Sequence, residues 1–115
     1  MPELAELARR TDVIERGYEY LLAFAAQGRR DDSGSEVRDT LTRMQAALDG
    51  LAALIPDAFA TVVADDARKA GAAIALVLGR TAIGSLLVDN LNASIHLRAL
   101  LTDLFLVDQA LRAQP

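Results

Sequence analysis

Apolar residues recur through the first quarter of the chain at spacings of three, four and seven. The pattern is carried by Leu4, Leu7, Ile14, Tyr18, Leu21 and Ala25. This is the period of one face of an α-helix. Gly28 and the polar run at 31–35 interrupt it. The sequence therefore predicts a first helix over residues 3–27, followed by a loop.

The most regular heptad spacing follows that loop. Its apolar positions alternate between steps of four and three residues: Val37, Leu41, Met44, Leu48, Leu51 and Ile55. Pro56 ends the run, because a proline disfavours the α conformation in the residue before it. We predict a helix over 35–55 whose apolar seam packs inside a bundle, since the run is too short for a free-standing coiled coil.

A third helix is predicted over 57–78, and it carries a row of small residues besides its apolar face. The row is Ala67, Gly71, Ala75 and Gly79, each four residues from the next. Small side chains on one face allow another helix backbone to come close. We therefore expect close helix packing along this row.

The fourth helix is predicted over 82–112, after a break at residues 79–81, although one continuous rod with the third helix stays open. It carries two apolar faces. The first face holds Leu86, Leu97, Leu100, Leu104 and Leu111. The second face, with Leu106 beyond it, holds Leu87, Leu91, Ile95, Leu101 and Phe105. A surface helix of a monomer needs one apolar stripe, so we expect the second face to contact another subunit or partner.

Together these elements predict one all-α domain over 1–115, an antiparallel up-and-down four-helix bundle that is oligomeric through a long C-terminal helix. The composition agrees, with 52% hydrophobic residues and no cysteine, which excludes disulfide and thiolate chemistry. The net charge of −4 has the wrong sign for a general nucleic-acid binder. The acidic start lacks an apolar leader, and Arg80 lies within the most apolar stretch, so we expect a cytoplasmic protein that does not span a membrane.

The candidate chemistry is sparse. His96 is the single histidine, and helical spacing places it on one polar stripe with Asn92 and Asp89. No Glu-x-x-His pair exists and no glutamate follows Glu36, which disfavours a carboxylate metal site. Glycine-rich phosphate loops are also missing, so neither a metal nor a cofactor is predicted.

Two functions fit these patterns. The first is a protein–protein interaction or assembly module that acts as a homo-oligomeric helical bundle. The second is a small-molecule binding protein or cofactor-independent enzyme, with a pocket between helices lined by Asp89, Asn92 and His96. The two make opposite demands on His96, which lies exposed or structurally bonded in the first and lines a cavity in the second.

Overall fold

The computed structural model describes residues 2–112, and the predicted all-helical class is confirmed for this range. Within it, five α-helices and one short 3-10 helix form an elongated body of 50 × 20 × 20 Å. Their bounds are α1 Pro2–Ala25, α2 Val37–Leu48, the 3-10 helix Leu51–Leu54, α3 Ala60–Leu78, α4 Ser85–Ala93 and α5 His96–Arg112.

The helices bury one apolar core that runs along the long axis. Helix α1 lies against α2 and α4, and α3 lies against α5, α2 and the 3-10 helix. Each α-helix contributes a side chain with no exposed area: Ile14, Leu41, Ile74, Val88 and Leu100. Burying one such side chain contributes about 1.5–3 kcal/mol, so this shared core is the main force that holds the helices together.

The second helix ends earlier than predicted. It stops at Leu48 rather than at residue 55, because the chain turns at Gly50, whose φ of 70° lies in the left-handed region. Leu51 and Ile55 are nevertheless buried. Their heptad spacing therefore recorded which side chains enter the core, and not how far the helix continues.

The third helix begins later than predicted, at Ala60 rather than at residue 57. The Oδ1 of Asp57 accepts a hydrogen bond from the Phe59 amide at 2.8 Å, which closes a side-chain turn before the helix. The first helix also ends earlier than predicted, because α1 stops at Ala25, two residues before the predicted end at residue 27.

The predicted fourth helix is divided in two, and this is the main correction to the sequence prediction. Ile95 has a φ of 65°, so α4 ends at Ala93 and α5 begins at His96. The hydroxyl of Ser94 donates to the Leu91 carbonyl at 2.6 Å within this turn. Because the turn resets the rotation of the helix, the two continuous apolar faces predicted over 82–112 do not exist.

A polar junction connects the α1–α2 loop to the α3–α4 loop. The Asp32 carboxylate accepts hydrogen bonds from the Ile83 amide at 2.9 Å and from Arg38 Nε at 3.2 Å. The Ile83 amide, together with the Arg38 guanidinium, lowers the pKa of Asp32. Arg38 also donates to the Leu78 and Arg80 carbonyls at 3.0 and 3.1 Å, which satisfies acceptors at the end of α3.

Ser85 completes this junction at the start of α4. Its hydroxyl donates to the Phe24 carbonyl at 2.7 Å and accepts from the Arg29 amide at 2.8 Å. Its own amide donates to the Arg29 carbonyl at 2.9 Å. The beginning of α4 is thereby bonded to the last turn of α1 by one hydrogen bond and to Arg29, in the loop that follows α1, by two.

The close backbone approach predicted along Ala67, Gly71, Ala75 and Gly79 occurs elsewhere. A Cβ added at Gly71 would meet only the Leu48 side chain, at an ordinary 3.6 Å, and one at Gly79 would meet carbonyls of its own helix. A Cβ added at Gly84, by contrast, would lie 2.8 Å from the Arg30 carbonyl oxygen. The glycine that a neighbouring backbone crowds is therefore in the polar junction, whereas Gly17 in α1 is crowded by the flexible Met44 side chain.

We expect Gly84→Ala to destabilise the fold by about 1–3 kcal/mol, because a backbone carbonyl cannot move aside as a side chain can. The φ of Gly84 is −101°, which any residue adopts, so crowding is the only cause. Gly71→Ala is the matched control, and it should keep or raise stability by up to about 1 kcal/mol. Urea unfolding of both variants measures this, and an equal loss in the two would contradict the assignment.

We expect Ile95→Gly to stabilise the fold by about 1 kcal/mol, because a β-branched side chain is strained at positive φ. Little packing is lost, since Ile95 is 59% exposed. Ile95→Ala serves as the control: it keeps the Cβ atom and should not stabilise. Thermal and urea unfolding report the difference, and a Gly variant less stable than the Ala variant would refute the strained turn.

Candidate interaction surface

An apolar groove lies where the start of α3 meets the second half of α5. Its volume is about 250 Å³, and it is lined by Ile55, Pro56, Asp57, Phe59, Leu106, Val107, Ala110 and Leu111. The local sequence explains its shape. Pro56 and the Asp57 turn lie between the 3-10 helix and α3, and both residues line the groove beside Phe59.

Large apolar side chains are exposed at this groove and elsewhere on its two helices. Leu106 is 57% exposed and its neighbour Phe105 is 45% exposed. Val62, one helical turn after Phe59, is 43% exposed. We call the set Phe59, Val62, Phe105, Leu106 and Ala110 the groove surface. Single exposed leucines are common on monomers, whereas apolar side chains beside an apolar concavity are typical of contact sites.

Two carboxyl groups face each other farther along the same pair of helices. Asp66 on α3 and Asp103 on α5 are both half-buried, and their carboxyls lie within hydrogen-bond reach. Burial, followed by the interaction with Asp66, raises the pKa of Asp103 to about 7. Sequence patterning missed this pair, because Asp66 stands in a charged run with Asp65, Arg68 and Lys69, and spacing within one helix does not show which side chain of another helix lies opposite.

The residues predicted as an interface are distributed between the core and the surface. Leu91 and Leu101 are buried within the chain, so their side chains are already covered. Leu87 is half-buried, and only Ile95 and Phe105 are exposed. The division of the predicted fourth helix at Ile95 is the reason. Of the five residues predicted to form the contact, two, Ile95 and Phe105, are therefore exposed.

The turn at Ile95 separates His96 from Asp89 and Asn92, the other two residues predicted to line a catalytic pocket. Asn92 is buried, and its Nδ2 donates to the Leu21 carbonyl at 3.3 Å. Asp89 is exposed on α4, and half-buried His96 opens α5. None of the three lines the groove between α3 and α5 or the wider groove described next. The structure therefore does not bring them together around either concavity.

The wider groove, of about 660 Å³, lies between α2, the 3-10 helix and α3. Ala67 and Gly71 line it together with Ala46, Ala53 and Ala64. Half of the predicted small-residue row thus borders open space, and Ala75 and Gly79 are exposed. Small side chains here leave a depression instead of admitting a neighbouring helix.

Two further features are absent from residues 2–112. No group of three or more histidine, aspartate or glutamate side chains within that range is placed to hold a metal ion. None of the helices described combines the length and the apolar character needed to cross a membrane.

Comparison with known proteins adds no relative: no family model, curated protein or solved structure matches the chain. A functional assignment therefore depends on the geometry of the surface alone.

Proposed function

We propose that the chain is a protein–protein assembly module that forms homo-oligomers through the groove surface. In this proposal the helices act as four antiparallel rods of an up-and-down bundle: α1, α2 with the 3-10 helix, α3, and α4 with α5. The observation that carries the proposal is the exposure of Leu106, at 57%, directly on the rim of an apolar groove.

The charge distribution supports a second copy as the occupant. A two-fold symmetric contact places the same patch of both subunits against itself, so a charged centre would repel its own copy. Asp57 is the one charged residue among those that line the groove, and it is exposed. An apolar centre with charge confined to the rim is the usual anatomy of a protein interface.

The predicted contact residue Phe105 belongs to this surface as an exposed apolar side chain of α5, although it points about 100° away from Leu106 around the helix and does not line the groove. Ile95 lies more than two helical turns earlier and would extend the contact along α5. The proposed interface thus overlaps the sequence prediction at its exposed members and adds Val62 and Phe59 from α3.

We expect the wild-type protein to elute with a mass near a multiple of 12.3 kDa at micromolar concentration, measured by light scattering coupled to gel filtration. Leu106→Gln combined with Val62→Gln should weaken association at least about a hundredfold. Each lost apolar side chain is worth about 1.5–3 kcal/mol when fully buried, and a two-fold contact contains every substitution twice.

Leu22→Gln is the matched control, because Leu22 is 48% exposed but lies on α1. It should leave the mass unchanged. Circular dichroism verifies that all variants keep their helices. A wild-type protein that stays monomeric at these concentrations would overturn the proposal, as would dissociation by the Leu22 variant but not by the double variant.

A further inference from the structure

The contact between α3 and α5 contains an acceptor without a donor. When Asp66 and Asp103 are both ionised, each carboxylate can only accept hydrogen bonds. The Oδ2 atom of Asp103 is buried and has no donor within the described chain. A buried polar atom without a partner costs free energy, which makes the doubly ionised pair unfavourable.

One proton resolves this arrangement. A protonated carboxyl is a donor, and the Asp66 and Asp103 carboxyls already lie within hydrogen-bond reach. We propose that these two side chains share one proton and that loss of this proton to solvent loosens the α3–α5 contact. The pair is then a pH-sensitive switch built into the seam between the two helices.

The charged groups around the pair leave it without a basic partner. On α3, Arg68 and Lys69 bind the neighbouring Asp65 at 2.8 and 3.1 Å. On α5, Asp108 binds Arg112 at 2.9 Å, one and a half turns away from Asp103. Burial and Asp66 raise the pKa of the Asp103 carboxyl, and no charged group of α1, α2, α4 or the 3-10 helix contributes to this shift.

The seam around the pair determines what opening would expose. Val63 and Ala70 on α3 and Leu100 and Val107 on α5 are buried within one turn of the carboxyls. Two unit charges of one sign repel strongly when they are partly shielded from water. Separation of α3 from α5 would relieve this repulsion, and it would bring part of that apolar layer into contact with water.

The direction of the pH dependence follows from the raised pKa. In the unfolded chain an aspartate carboxyl titrates near 3.8, and in the folded chain that of Asp103 titrates near 7. Folding therefore favours the protonated form. The stability that the proton contributes is complete below the unfolded pKa and is lost as the pH rises through about 7.

The test measures urea unfolding at several pH values from 5.5 to 8.5. Every variant carries His96→Gln, so that no histidine contributes to the pH dependence. In this parent the equilibrium constant for unfolding should rise by roughly 30-fold across the series, because the folded Asp103 carboxyl loses its proton near pH 7. Asp103→Asn should abolish most of this rise, because its amide donates to Asp66 at every pH. Asp65→Asn, on the exposed face of α3, should retain it.

Carboxyl carbon NMR of the same protein provides a measurement that does not depend on any Asp103 variant folding. One aspartate should titrate near pH 7, and the protection factors of the α5 amides, which are corrected for the intrinsic base-catalysed exchange rate, should fall above that pH. Aspartates that all titrate below pH 5, together with pH-independent unfolding, would overturn the proposal. Because the switch belongs to a single chain, the rise in the equilibrium constant for unfolding should be the same at two protein concentrations. A rise that depends on concentration would assign the pH dependence to assembly and would refute a switch within the fold.

Discussion

The hydrogen bonds between the two loops at one end of the molecule fix the position of the remaining helices. Asp32 provides an acceptor for the Ile83 amide, and Arg38 provides donors for carbonyls at the end of α3. The Ser85 hydroxyl donates to the Phe24 carbonyl at the end of α1 and accepts from the Arg29 amide in the loop that follows. Polar backbone groups at helix ends need such partners when water is excluded. Each loop provides hydrogen-bond partners for the backbone of the other, and these bonds fix where α4 starts against α1.

The left-handed turn at Ile95 allows α4 and α5 to choose different neighbours. Helix α4 packs mainly against α1, and α5 packs mainly against α3. A single straight helix over the same residues would have kept one orientation and one set of faces. The strain of a β-branched residue at positive φ is offset by the burial that this change of direction permits, since Leu97, Leu100, Leu101 and Leu104 all enter the core.

The α3–α5 seam contains apolar contacts that hold the two helices together and a pair of carboxyls that repel each other when both are ionised. Apolar side chains such as Val63 and Leu104 hold the two helices together. The Asp66–Asp103 pair acts against this packing once both carboxyls are ionised. The groove surface, which includes Phe59 and Leu106, lies on the same two helices. The proposed assembly and the proposed proton switch therefore share one structural element, although each depends on different side chains.

The amino-acid pattern by itself determined that the protein is helical and which side chains enter its core. Val37, Leu41, Met44 and Leu48 are buried at the predicted spacing, and Leu51 and Ile55 are buried even beyond the end of their helix. Apolar periodicity reports burial because a side chain's direction depends on rotation along the chain, which is a local property. Of the candidate surface, the same pattern identified Phe105 but assigned Leu91 and Leu101 to the outside.

Only the tertiary structure decided where the helices turn, which glycine is crowded and which carboxyls meet. The sign of φ at Ile95 opposes the local preference of isoleucine, so no propensity predicts it. Gly84 is crowded by the carbonyls of Arg29 and Arg30, and Asp66 is paired with Asp103 from another helix. These relations join residues far apart in the chain. They depend on how complete helices pack, and spacing within one helix contains no information about the atoms that lie opposite.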